Sequence, residues 1–290
     1  MKIGIIGANG QLGHDLVGAF SEKGDEVFEL NHNRIEISDI DSVSSVLKQV
    51  TPDIVINTAA MHNLEVCEKE PRKSFDVNGI GARNLALVSN EIDSLLIHFS
   101  TDYVFDGLKK TPYIESDLPS PLNVYGNTKL SGEHFIRSIA RKHLVLRVSG
   151  LYGHSPCRAK GLNFVDLMLK LARERDEIRV VNDEELSPTT TEEIARQVVS
   201  ISEMSQYGLY HVATQGSCTW FEFAKAIFEL TKSKVKLSIA DPSEFPLKVP
   251  RPKYSVLENH NLENAGINKM GHWRQALQKY IDTRNLGGHL

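Results

Sequence analysis

Tyr125 and Lys129 stand four residues apart in a stretch, Tyr125-Gly-Asn-Thr-Lys129, that reads as helix. At that spacing both side chains project from one face into the same space. A free tyrosine holds its proton with a pKa of about 10 and exchanges it poorly at neutral pH. A lysine charge beside it favours the phenolate and brings that pKa toward the working range, so the pair suits general acid–base chemistry. The lysine can also hold a ribose hydroxyl. Upstream, a strand over Ser94–Thr101 ends in Ser100-Thr101-Asp102. The carboxyl end of such a strand is where an open α/β sheet binds its ligands. A hydroxyl at Thr101 can there hydrogen-bond a substrate carbonyl oxygen next to Tyr125, and it equally suits a cap or turn. Tyrosine and lysine at this spacing also occur on many solvated helices, so position carries the reading.

The chain opens with MKIGIIGANGQLG. An apolar run, Ile3–Ile6, meets Gly7; Gly10 and Gly13 follow, and Leu12, Leu16, Val17 and Phe20 continue at helical spacing. Strand, glycine turn and helix in that order are the context of a dinucleotide-binding fingerprint. Gly7 permits a tight turn, Gly10 lets backbone approach a pyrophosphate, and Gly13 lets the helix pack on the strand. The helix start favours the phosphate charge. After a second strand, Glu26–Leu30, the chain reads Asn31-His32-Asn33-Arg34. An NAD-specific site places an acid at this point to hold the ribose 2′-hydroxyl. None stands here, and Arg34 or protonated His32 would attract a 2′-phosphate. The expectation is NADP(H) preferred with NAD(H) accepted, although the four residues equally suit a polar surface turn.

These residues need a scaffold. Strands Glu26–Leu30, Asp53–Thr58, Ser94–Thr101 and His143–Ser149 alternate with helices over Asp41–Val50, about Asn63 to Asn90 (interrupted by Pro71, Gly79 and Gly81), and about Tyr125 to Arg141. Asp41 is placed to cap its helix. The repeated β–α units predict an α/β fold: a doubly wound, mainly parallel sheet with helices on both faces. After Gly150 the rhythm loosens, and the division expected is a dinucleotide-binding domain over 1–150 and a smaller substrate-binding domain over 151–290. Some segments of the latter return to the first domain. Asp241–Lys253 carries four prolines and must be a loop crossing the surface or covering a cleft.

Composition bounds the function. The 290 residues are 41% hydrophobic and 24% charged, and the net charge of −4 gives no reason to expect nucleic acid or an anionic membrane. Cys67, Cys157 and Cys218 are scattered and form no CxxC pair, so they read as reduced packing residues without a metal site. No apolar run approaches the roughly 20 residues that span a bilayer. A cytoplasmic location is the expectation.

With Asn57–Ala60, Phe75-Asp-Val-Asn78, His98–Gly107 and Tyr125–Lys129 in this order behind the glycine turn, the chain resembles the extended short-chain dehydrogenase/reductases. More narrowly, GANGQLG, STDYVFDG, Pro112–Glu133, SPTTT and Arg251-Pro252 through Leu257 resemble the dTDP-4-dehydrorhamnose reductase family. The resemblance implies a Rossmann domain with a nucleotide-sugar-binding domain. It also implies NAD(P)H as hydride donor and reduction of the 4-keto group of a dTDP-6-deoxyhexulose in dTDP-L-rhamnose biosynthesis. The sequence leaves the oligomeric state open, with a homodimer the one assembly allowed for. Residue by residue it makes Tyr125 the acid and Lys129 its tuner and ribose ligand, with Thr101 orienting the ketone beside Asp102. Gly10, Gln11 and Leu12 would face the pyrophosphate. Asp39, after a short strand Ile35–Ile37, would meet the adenine, and Ala59, Ala60, Met61 and His62 would line the nicotinamide half. Asn163 and Arg251 would lie near the nucleotide sugar, and each equally suits a surface role.

Two departures bear on the sugar. Met61 stands where the family usually has an aromatic or histidine, and Gly150 stands where it usually has a tryptophan of the sugar pocket. One pocket wall is therefore expected to be open or filled by another element, with Met61 and the link His154–Gly161 as candidates. The competing readings are another extended family member, such as an epimerase or a different sugar-nucleotide reductase, and a non-catalytic NADP-binding subunit resembling the regulatory subunit of methionine adenosyltransferase.

Overall fold

In the computed structural model, residues 1–156, 161–244 and 248–286 are described. The elements run β1 (Lys2–Ile6), α1 (Gln11–Glu22), β2 (Glu26–Leu30), α2 (Ile40–Val50), β3 (Ile54–Asn57), α3 (Leu64–Lys69), α4 (Pro71–Phe75), α5 (Gly81–Glu91), β4 (Leu95–Thr101), α6 (Val124–Ile139) and β5 (His143–Val148). The second half supplies β6 (Leu151–Tyr152), α7 (Phe164–Glu174), β7 (Glu177–Val180), β8 (Glu185–Leu186), β9 (Thr189–Thr190) and α8 (Thr191–Ile201). It continues with β10 (Gly208–His211), β11 (Cys218–Thr219), α9 (Trp220–Leu230), β12 (Lys236–Ile239), α10 (His260–Asn264) and α11 (Trp273–Leu286).

Six strands form one sheet in the order β2-β1-β3-β4-β5-β10, every neighbouring pair parallel. Every residue of β3 and β4 is buried, as strands covered on both faces must be. Alternation sorts their side chains. Leu95, Ile97 and Phe99 pack with Leu12, Leu16 and Phe20 of α1 and with Ile194 and Val198 of α8. Leu96 and Val145 pack on the other face with residues of α2, α5 and α6. On that same face β4 carries His98 and Ser100 and β5 carries Arg147, polar groups buried beneath α6. The strand order reverses between β1 and β3, and in such sheets ligands bind in the crevice beyond the strand ends at that point.

The second half of the chain adds the edge strand β10 to this sheet and lays α8 on α1. Leu262 of α10 joins the core beneath α1, and α7, β7, α9 and α11 enclose a separate core that includes Tyr152, Met168, Ile178, Phe223, Ile227 and Leu277. No helix among the described residues is long and apolar enough to cross a membrane. Cys67 and Cys218 are buried and free, while Cys157, part of the link after His154 and residues 287–290 lie outside the described residues.

Two local expectations are corrected. Ile35 and Ile37 are buried, but 35–37 forms no strand, because the Asn31 carbonyl collects the Arg34 and Ile35 N–H groups and closes a turn there. Asp39, rather than Asp41, caps α2, its Oδ1 accepting from the Asp41 N–H at 3.0 Å. The helical stretch before Asn90 is interrupted where expected: Pro71 opens α4, Gly79 lies in a single π-helical turn, Asp76–Ile80, and Gly81 opens α5.

Candidate active site

The first part of the site is the turn after β1. Gly7 holds φ +77°, and a Cβ there would meet Thr58 Oγ1 at 2.7 Å, so only glycine fits between β1 and β3. A Cβ on Gly13 would run into the Gly7 carbonyl and, at 2.7 Å, into the Ala8 Cα, which brings α1 hard against the turn. Gly10 is the N-cap of α1, and no side chain caps that helix. A Cβ on Gly10 would meet nothing but the Gly7 carbonyl, at 3.2 Å. Bare backbone and an uncapped helix start fit the pyrophosphate of a dinucleotide. Leu12 is buried in the core, while Gln11 turns its amide to the Gly153 and Ser155 carbonyls, at 3.2 and 3.0 Å.

His32 and Arg34 lie in the turn beyond β2. Arg34 donates to the Glu29 carbonyl at 3.3 Å, and His32 Nδ1 is 3.4 Å from Glu36. Asp39 is spent on its cap. Beyond β3, the Ala59 N–H donates to Asn57 Oδ1 at 3.1 Å, and the His62 ring contacts the Ala60 carbonyl at 3.4 Å. Met61 is clasped at both backbone groups by the Asn78 amide, 2.9 Å each way, and its sulfur accepts from the Ser74 hydroxyl at 3.4 Å.

At the end of β4, Thr101 caps a short 3₁₀ turn by accepting from the Tyr103 N–H at 3.2 Å, and it donates to Asp102 Oδ1 at 3.0 Å. The capping hydroxyl also bears on Tyr125, whose phenol it holds down against the effect of burial. Asn123 Oδ1 caps α6 through the Gly126 N–H at 2.8 Å and so fixes the first turn, which carries Tyr125. Burial pushes the Tyr125 phenol above its ordinary range, opposed by the Thr101 hydrogen bond. Burial also lowers Lys129 to about 8, opposed by Glu133. Desolvation, more than the lysine charge expected from the spacing, sets the resting state of this phenol. Asp102 is buried, which raises it to about 6 even though Ser149, Ser255 and Thr101 all donate to it.

The proline-bearing stretch expected to cross the surface or cover a cleft meets this cluster at Pro250 and Arg251. The Pro250 carbonyl accepts from Asn123 Nδ2 at 2.9 Å, and the charge of Arg251 acts on Tyr103, whose ring stands edge-on to Tyr125 at 6.1 Å. Arg251 Nη1 lies 4.0 Å from Glu184, a buried carboxylate that also accepts from Trp220 Nε1 at 3.1 Å. Sequence reasoning missed Glu184, Trp220, Ser149, Ser255 and Tyr103, because nothing local marks them; the chain crossing brings them here. His98 carried a signal, a lone imidazole inside a buried apolar strand.

Asn163 stands apart. Its Oδ1 caps α7 through the Asp166 N–H at 3.0 Å, and its Nδ2 donates to the Gly153 carbonyl at 2.9 Å, so its side chain holds the second half together. Gly150 has φ +56°, and a Cβ there would lie 2.6 Å from Leu186 Cδ1 and 3.0 Å from the Pro188 Cα. Leu186 and Pro188, rather than Met61, stand against Gly150. His154 turns away to stack on Tyr280 at 4.3 Å.

An uncapped glycine turn on one side of a topological switch point and a Thr–Tyr–Lys cluster on the other define an oxidoreductase of the extended short-chain dehydrogenase/reductase type. Within that class the chain belongs to the RmlD substrate binding domain family, whose model matches residues 1–286. It is 40% identical over 284 residues to the spore coat polysaccharide biosynthesis protein SpsK of Bacillus subtilis, covering 98% of each chain. A dTDP-4-dehydrorhamnose reductase structure from Clostridium acetobutylicum superposes with a TM-score of 0.93 at 37% identity, covering 98% of this chain and 100% of that one. A second, from Bacillus anthracis in complex with NADP, gives 0.92 at 36% identity, covering 97% and 99%.

Proposed function

We propose that this protein reduces the 4-keto group of a nucleotide-activated 6-deoxyhexulose, using NADP(H) in preference to NAD(H), with dTDP-4-dehydrorhamnose the first substrate to test. One observation carries the reading: Thr101, Tyr125 and Lys129 converge at the carboxyl end of β4, across the crevice from the uncapped start of α1. The NADP complex of the Bacillus anthracis relative supports the cofactor. The reduced nicotinamide, when bound, supplies the hydride. Thr101 orients the ketone. Tyr125, kept as a phenol by burial, gives its proton to the keto oxygen. Lys129 holds a ribose hydroxyl and stabilises the phenolate left behind. Arg34 and His32 are available to a 2′-phosphate, although Glu36 competes for His32.

The identity to SpsK favours a second choice of sugar within the same reaction, a deoxyhexulose destined for a spore coat polysaccharide. Both choices are met by one assay: NADPH and NADH oxidation with a panel of dTDP- and UDP-linked 4-keto-6-deoxy sugars. Turnover of one of them is expected. Tight NADP(H) binding with no turnover of any would overturn the proposal and leave the regulatory-subunit reading.

A further inference from the structure

Glu184 stands immediately before β8 and is 7% exposed. Its Oε2 accepts from Trp220 Nε1 at 3.1 Å, and among the described residues no donor reaches its Oε1. The guanidinium of Arg251 stops 4.0 Å short at Nη1, beyond hydrogen-bond range. Arg251 Nε is buried and has no hydrogen-bond partner among the described residues. Both halves of an ion pair are therefore present, and the bond between them is not made. Taking such a pair out of water is costly unless its remaining protons and lone pairs are used. Burial accordingly raises the Glu184 carboxyl, opposed by Arg251 and by the Trp220 hydrogen bond.

Backbone holds the gap. The Glu185 N–H donates to the Lys253 carbonyl at 2.8 Å, and the Ser255 N–H donates to the Glu185 carbonyl at 2.8 Å. These bonds lock β8 to the proline-bearing stretch just beyond Arg251, and the Ser255 hydroxyl ties that stretch to Asp102 at 2.6 Å. Position says which part of a ligand comes here. Tyr103 feels the charges of both Arg251 and Glu184, and its ring stands edge-on to Tyr125 at 6.1 Å. With a ketone at Tyr125, the sugar ring reaches this pair, while the base lies across a diphosphate.

Chemistry then narrows the group. A carboxylate only accepts hydrogen bonds and a guanidinium only donates them. A keto oxygen, which only accepts, serves Arg251 alone. An ammonium only donates and is repelled by Arg251, and a phosphate oxygen is repelled by Glu184. A hydroxyl both donates and accepts, and its oxygen can sit within about 2.9 Å of each partner across the 4.0 Å gap. We propose that Glu184 and Arg251 together read a hydroxyl of the hexulose ring, with Glu184 the specificity-determining residue. The hydroxyl donates to the carboxylate and accepts from the guanidinium. This rests on the reductase reading above. A site built so rejects a sugar lacking that hydroxyl, because the buried carboxylate is left short of a donor.

The test is calorimetric titration of the full chain, with NADP⁺ present, using dTDP and dTDP-rhamnose as separate probes. In Glu184→Ala the affinity for dTDP-rhamnose should fall about tenfold or more, while that for dTDP stays within about twofold. Glu184→Gln keeps the size and an acceptor for Trp220, and should lose severalfold on dTDP-rhamnose alone. It decides the matter if the alanine variant does not fold. Equal changes on both probes would place Glu184 on the diphosphate through Arg251 and overturn the proposal, as would no change on either. Binding of neither probe by the wild type would count against the sugar-nucleotide reading itself, and this inference would fall with it.

Discussion

On the proposed reaction, the Tyr125 phenol, half-buried beside Thr101 and edge-on to Tyr103, keeps its proton until a keto oxygen claims it. Tyr125→Phe should therefore lower turnover by about 10²–10⁴-fold while NADP(H) affinity changes little. Steady-state rates and a cofactor titration on the same preparation check this, and near-normal turnover would remove Tyr125 from its role. Asp102 makes a different prediction. Its folded pKa of about 6 stands above the ordinary aspartate value of 3.8, so between those values the native state binds the extra proton. Stability from this group is then lost as pH rises through that window. Replacing it by Asn, which keeps the hydroxyl partners and removes the charge, should flatten that limb. The gap between the wild-type and Asp102→Asn curves should change by at most about 3 kcal/mol from pH 4 to 7. Denaturant melts at several pH values measure it; parallel curves would mean that Asp102 does not hold its proton into this range.

At the scale of the element, the caps decide which polar residues are free for ligands. Asn163 spends both ends of its amide on α7 and Gly153. Asn163→Ala should therefore cost about 1–3 kcal/mol in stability, a cap and a buried hydrogen bond, while leaving the KM for a nucleotide sugar within a fewfold of wild type. A large KM rise without a stability loss would return Asn163 to the substrate. Legibility in the sequence follows the same division. The strand–turn–helix of Met1–Gly13 and the Tyr125–Lys129 face could be read because their geometry is local: three glycines, one helical turn. The caps could not, since Asp39 and Asp41 are chemically alike and only the turn closed by the Asn31 carbonyl selects between them. The surroundings of Gly150 were illegible for another reason: Leu186 and Pro188 arrive from 36 and 38 positions away. Gly150→Trp should accordingly lower the melting temperature, and a gain in kcat/KM for dTDP-4-dehydrorhamnose without that loss would show the space against Gly150 to be open.

At the scale of the whole molecule, the carbonyl of Gly153 is where the two halves are pinned. Asn163 Nδ2 at 2.9 Å and the Tyr280 hydroxyl at 3.1 Å reach it from the second half, and Gln11 Nε2 at 3.2 Å reaches it from the start of α1. The same Gln11 amide holds the Ser155 carbonyl at 3.0 Å, and Thr191 at the head of α8 donates to Asp15 of α1 at 2.5 Å. The residue that opens the dinucleotide-type helix is thus tied to the strand segment that runs on from Gly150. A ligand that settles the first turn of α1 should thereby settle the segment beyond β5. In thermodynamic terms, NADP⁺ should tighten the binding of a nucleotide sugar, and the sugar should tighten NADP⁺ by the same factor. Gln11→Ala removes both hydrogen bonds but leaves the turn glycines, the Thr191–Asp15 contact and the Thr101–Tyr125–Lys129 cluster in place. It should cost about 1–3 kcal/mol in stability and bring the coupling factor toward one. Calorimetric titration of dTDP, then of a dTDP-sugar, with and without NADP⁺, measures the factor in wild type and variant. A factor unchanged by Gln11→Ala would mean that the halves communicate through α1 and α8 alone.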